Sequence, residues 1–226
     1  GDQEEAEKLY KQAISEGDNT ALFNLASLKE VQGKGNEAEE LYKQAISAGD
    51  MDAIFCLALL KDNQGNLDEA EELYKKAIDL GDWKAMNNLG LIKESQDKLD
   101  EAEELYIRAM TKSDIDQPRL NLGELRKKQG RDEEAMTIFL ELADEGNVDA
   151  IIFASSLAQE KQDFHLAEDL LFRARDAGSV DALYWLGSLY ETQGTLELAL
   201  EYYSKSAEAG DEEAIEKLEK LKPKEQ

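Results

Sequence analysis

Among the side chains that most often move a proton or hold a metal, the chain has 51 carboxylates, one histidine and one cysteine. Paired carboxylates serve acid–base hydrolysis when one of them is desolvated and keeps its proton near neutral pH. Here the acids come in runs such as "DEAEEL" on repetitive polar stretches, where the sequence predicts no such burial. His165 has no second histidine and no cysteine near it in sequence, so it reads as a surface or cap residue and not as a base or ligand. The stretch "KDNQGNLDEAEE" superficially matches a calcium loop, but its glycine, Gly65, falls too early for a loop starting at Asp62. There is no phosphate-binding loop, dinucleotide fingerprint or nucleophile elbow. The expectation is a chain that is not an enzyme, with no catalytic group, no metal and no cofactor.

The acids outnumber the 26 basic residues and give a formal charge of −25. Such a surface repels phosphate backbones and anionic headgroups, which argues against nucleic acid as a partner. No apolar run approaches the roughly 20 residues that span a bilayer, so no membrane insertion is expected. The single cysteine, Cys56, and the lack of a visible signal peptide favour the cytoplasm. The chain has no initiating Met and opens partway through a repeated unit, as a processed or excised fragment does.

That unit organises everything else. "EAEELYKKAIDLGD" (69–82) returns as "EAEELYKQAISAGD" (37–50) and "EAEELYIRAMTKSD" (101–114), and more weakly at 5–18. Aligning on "GD" gives full units 19–50, 51–82, 83–114, 116–147, 148–179 and 180–211, with Ile115 inserted. A half unit (1–18) precedes them, a capping helix (212–222) follows, and 223–226 reads as a frayed tail. Within a unit the apolar residues recur at helical spacing, as in Ile54, Leu57, Leu60 and then Leu67, Ala70, Tyr74, Ala77. "QG" at 64–65, 129–130 and 193–194 separates two helices, and "GD" supplies a C-terminal stop followed at once by an N-cap oxygen. Connections this short predict antiparallel hairpins, and the whole chain reads as a single all-α array of about 14 helices.

The residues now carry a resemblance. "A-x-x-x-L-G" occurs as Ala85, Leu89, Gly90 and as Ala182, Leu186, Gly187 in first helices. Second helices carry Ala38, Tyr42, Ala45; Ala70, Tyr74, Ala77; and Ala102, Tyr106, Ala109. The chain resembles the tetratricopeptide repeat and its Sel-like relative. Units of 32 residues closing on "GD" lean towards the Sel-like form, while the short turn inside each hairpin leans away from it. The resemblance implies a right-handed α-solenoid that holds another polypeptide in a concave groove lined by first helices.

The same resemblance implies that the fifth and sixth places of each unit face that groove. They are Phe23-Asn24, Phe55-Cys56, Asn87-Asn88, Leu120-Asn121, Ile152-Phe153 and Tyr184-Trp185. Candidate partner-binding residues are therefore Phe23, Asn24, Phe55, Asn87, Asn88, Leu91, Asn121, Lys127, Lys128, Phe153, Tyr184 and Trp185. Asn24, Asn88 and Asn121 could form a partial ladder for an extended peptide, and the aromatics could anchor it. The competing reading packs some of these side chains between neighbouring first helices. A basic island, Arg119, Arg126, Lys127, Lys128 and Arg131, could meet a partner's carboxylate or simply pair with acidic neighbours. The carboxylate clamp by which co-chaperones of the family hold a C-terminal tail does not match in the registers beginning at the first or second unit.

The expected function is a protein-interaction scaffold whose partner is a protein or peptide with apolar anchors and basic residues drawn in by the net charge. Two alternatives remain: a targeting or regulatory arm of a larger enzyme or receptor, and a structural module that associates end to end.

Overall fold

The computed structural model describes residues 2–112 and 115–221. The expected close of the third unit at Ser113-Asp114 and the tail at 223–226 lie outside them. The described residues form fourteen helices and no strand, an all-α helical-repeat fold. They divide into two compact units, Gly1–Pro118 and Arg119–Gln226. Unit 1 begins with α1 (Asp2–Ser15), which is followed by the hairpins α2 (Thr20–Val31)/α3 (Gly35–Ser47), α4 (Asp52–Asn63)/α5 (Leu67–Asp79) and α6 (Trp83–Ser95)/α7 (Leu99–Met110). Unit 2 takes up α8 (Gln117–Lys128) from Arg119 onward. It pairs that helix with α9 (Asp132–Asp144) and continues with α10 (Val148–Glu160)/α11 (Phe164–Asp176), α12 (Asp181–Thr192)/α13 (Leu196–Glu208) and the last helix α14 (Glu212–Leu221).

The turns explain the boundaries. At the end of α4 the amide of Gly65 donates to Asp62 O and that of Asn66 to Lys61 O, so two carbonyls that the helix leaves unpaired are satisfied. This geometry needs a left-handed residue, and Gly65 has φ +77°. The same bonds close α6 and α10 with Asp97 (φ +60°) and Gln162 (φ +62°) at the corresponding place, so the fold imposes the turn even where the sequence offers no glycine. On the other side of the hairpin the expected N-cap oxygens are present. Asp82 accepts from the amides of Lys84 and Ala85, and Asn147 from Ala150.

The core consists of the repeated small and large residues. Ala38, Ala70, Ala102, Ala135, Ala167 and Ala199 are fully buried, and the second-helix rings of Tyr42, Tyr74, Tyr106, Phe139 and Tyr203 are buried beside them. Close approach matters at Gly123 and Gly90, where an added Cβ would lie 2.4 Å from the Phe139 ring and 2.5 Å from the Tyr106 ring. Hairpins of this kind bury too little alone, so stability accumulates through contacts between neighbours.

Candidate functional site

On the first helices of unit 1 the fifth-place rings lean on the second-helix rings of their own hairpin. Phe23 meets Tyr42 edge-on at 5.8 Å and Phe55 meets Tyr74 at 6.0 Å, and both stay half-buried. Asn24 is exposed and Leu91 is 46% exposed. Asn88 Nδ2 donates to Tyr74 Oη at 3.3 Å. Cys56 is half-buried, and burial pushes its thiol pKa up, away from the reactive thiolate.

Two expected groove residues are turned away from solvent. Asn87 is 7% exposed and Asn121 is 5% exposed. The three-asparagine ladder is therefore uneven: Asn24 is open, Asn88 has its amide committed to a tyrosine, and Asn121 lies within the packing. For Asn87 and Asn121 the competing packing reading describes the molecule better, because their short carboxamides lie between helices and away from solvent.

In unit 2 four candidates converge. Lys127 and Lys128 from α8, Phe153 from α10 and Trp185 from α12 line one recess of about 420 Å³, together with Glu124, Ile152 and Ser156. Fully buried Phe139 from α9 closes it, with the Phe153 ring 5.4 Å away. Tyr184 braces Trp185 edge-on at 5.6 Å and leans on Tyr203 at 5.5 Å. Lys127 Nζ lies 2.7 Å from Glu160 Oε1, whose side chain is 55% exposed.

The three arginines of the basic island are paired with acids. Arg119 bonds Glu145 at both carboxylate oxygens, and Arg126 and Arg131 both meet Glu134. Of the two readings of that island, pairing with acidic neighbours describes these arginines.

Two repeated contacts escaped the sequence reading. The first joins a buried tyrosine to an acid twelve residues earlier: Tyr42 Oη donates to Glu30 at 2.9 Å, Tyr74 to Asp62 at 3.3 Å, Tyr106 to Glu94 at 3.2 Å and Tyr203 to Glu191 at 2.6 Å. Burial first, then the facing carboxylate, raises the Tyr42 and Tyr203 pKa values and keeps those phenols protonated. The second is a buried lysine every 32 residues, at 29, 61 and 93. Lys61 bridges Glu39 of the preceding second helix (2.7 Å) and Glu69 of the following one (2.9 Å). Lys29 does the same with Glu7 and Glu37, and Lys93 with Glu71 and Glu101. The spacing was a usable signal, since lysine and glutamate recur in the same 32-residue register.

Every glutamate with a resolved shift is pulled down. Lys93, then Lys75, holds Glu71 at about 2, and Lys43, then Lys61, lowers Glu39. These carboxylates are held ionised, which suits ion pairing and not proton donation. Among the described residues no group of three or more potential ligands is placed to hold a metal ion, and no helix is long and apolar enough to cross a membrane. His165 is exposed.

Comparison with solved structures places these features in a wider class. A tetratricopeptide repeat protein from Parabacteroides merdae matches with a TM-score of 0.66 at 19% identity, covering 98% of this chain and 99% of that one. Yeast Tom70 matches with a TM-score of 0.76 at 18% identity, over 97% of this chain and 51% of its own. YrrB, described as a TPR protein with an unusual peptide-binding site, matches with a TM-score of 0.57 at 20% identity, covering 75% and 92%. At these identities the likeness is one of fold. No curated protein sequence gave a significant match. Sequence models decide the family: one described as "Tetratricopeptide repeat" matches residues 57–118 and 154–214, more than half of the chain, and one described as "Tetratrico peptide repeat" matches 19–54. The chain belongs to the tetratricopeptide repeat family.

Proposed function

We propose that this chain is a polypeptide-binding module and that the recess of unit 2 is its principal anchor site. The observation that supports this reading is the convergence of Phe153, Trp185, Lys127 and Lys128 on one apolar-floored concavity. Its size falls in the range of pockets that take a large side chain, and the aromatic lining supplies area at low entropic cost. Phe23, Phe55 and Leu91 offer a secondary apolar surface on the first helices of unit 1. Kinship with the Sel-like branch rests on the 32-residue unit and its "GD" closure. The test places a photo-crosslinking side chain at Ser156 and, as a control, at exposed Glu72 on a second helix. Adducts from native lysate specific to position 156 and lost with Trp185→Ala are expected. Equal adducts from both positions would exclude the recess as the binding surface.

End-to-end association meets an obstacle in α14. Glu219 stands in the place held by Ala26, Ala58, Gly90, Gly123, Ser155 and Gly187, where a buried ring normally packs. A sedimentation coefficient that climbs with protein concentration would restore that reading.

A further inference from the structure

The units serve as internal controls for one another, and the fourth departs from the others at one point. In four hairpins a buried tyrosine hydroxyl donates to an acid twelve residues before it. In the fourth both members change together: Phe139 has no hydroxyl, and Lys127 replaces the acid. The fifth hairpin lacks the pair too, with Leu171 and Gln159 in these places, but gains no charge. A lysine beside a phenylalanine ring meets no acceptor there. Lys127 instead turns to the recess and pairs with Glu160, a carboxylate more than half exposed to water. A place that elsewhere holds an internally committed negative charge thus holds a positive charge whose partner can be exchanged. Beneath it, Phe139 lacks the hydroxyl that its counterparts carry.

Resting on the reading of the recess as the binding surface, we propose that it selects a polypeptide segment in which an aromatic or leucine side chain lies within two residues of an aspartate or glutamate. The apolar side chain fills the space between Phe139, Phe153 and Trp185. The carboxylate takes Lys127 from Glu160, and Glu160 is released to solvent. Exchange of one charge-assisted hydrogen bond for another leaves no buried charge unpaired, so the contact selects between partners more than it adds raw affinity. The net charge of −25 opposes an acidic partner at long range, but at physiological salt that field is screened beyond about 8 Å, and contact with Lys127 is shorter-ranged than that.

The probe is a phage-displayed library of random heptapeptides, panned on the full chain. Selected peptides are then titrated against the wild type and against Trp185→Ala, Lys127→Gln and Glu160→Gln, each first shown to melt as the wild type does. The expected peptides pair an aromatic or leucine with an acid and lose binding with Trp185→Ala. They weaken by roughly tenfold with Lys127→Gln, as a lost charge contact implies, and bind several-fold more tightly with Glu160→Gln, which removes the internal competitor. Peptides that need Trp185 but carry Lys or Arg, or that ignore Lys127→Gln, overturn the acidic-segment proposal while leaving the recess as a binding site. If no selected peptide depends on Trp185, the reading of the recess falls and the proposal falls with it.

Discussion

Replacing Lys61 separates what the repeated ion pairs contribute from what the lysine stem contributes. Its side chain is 8% exposed and its ammonium lies 2.7 Å from Glu39 and 2.9 Å from Glu69. Lys61→Ala deletes three buried methylenes, worth roughly 0.8 kcal/mol each, or about 2.4 kcal/mol in all. It also removes both ion pairs. Glu39 keeps Lys43 at 2.8 Å, and Glu69 is 63% exposed and rehydrates, so the 3–5 kcal/mol typical of an orphaned buried charge shrinks here to about 1 kcal/mol. Lys61→Ala should therefore cost about 3–4 kcal/mol and Lys61→Met, which retains the stem volume, about 1 kcal/mol. Exposed Lys76 supplies the control, because Lys76→Met changes charge without disturbing a bridge. The assay is urea unfolding followed by circular dichroism, with a double-mutant cycle to Glu39→Gln to isolate the coupling. Indistinguishable stabilities for Lys61→Met and Lys76→Met would mean that the bridges add nothing. Equal losses for Lys61→Met and Lys61→Ala would mean that the stem packing has been misjudged.

Two further expectations come from the same elements. Glu71 is held at about 2, below its ordinary 4.5, so its contribution is fully present above pH 4.5 and is lost as pH falls through about 2. Lys93→Met should flatten the dependence of melting temperature on pH across that window, and an unchanged slope would contradict the assignment. At Gln162 the left-handed backbone disfavours a side chain, so Gln162→Gly should stabilise by about 0.5–1 kcal/mol and raise Tm by a few degrees. Asp97→Gly should give less, because aspartate tolerates that conformation better, and differential scanning calorimetry of both variants checks the order.

The helices and their ends are legible in the sequence because glycine and a short oxygen-bearing side chain fix each turn locally, without reference to distant residues. Asp97 and Gln162 show the limit of that signal, since the turn persists where packing on both sides leaves the chain no other course. The recess was partly legible: Phe153, Trp185, Lys127 and Lys128 stand out against the repeat, but Phe139 gains meaning only from the hydroxyl that its counterparts carry. Asn87 and Asn121 are buried although the resemblance points their places towards the groove, because a place in the unit does not say which polar side chains fit between helices. The lysine bridges escaped because each joins three helices, and their acids resemble the solvated acids beside them in sequence.

Those bridges also bear on how such a chain can change its length. Lys29, Lys61 and Lys93 each draw one carboxylate from their own hairpin and one from the hairpin or helix before it, always at the same two places. Excising residues 51–82 would set Glu39 against Lys93 just as Glu71 stands now, and duplicating them would add one more complete bridge. Unequal recombination in this region therefore conserves the charge pairing of every junction. The fourth hairpin keeps a cation at this place, Arg126 paired with Glu134, but the fifth and sixth have Ala158 and Tyr190 there. Tyr190 reaches Glu168 with a hydroxyl in place of an ammonium. In their charge pairing the early hairpins are thus interchangeable with one another, while the fifth and sixth are not.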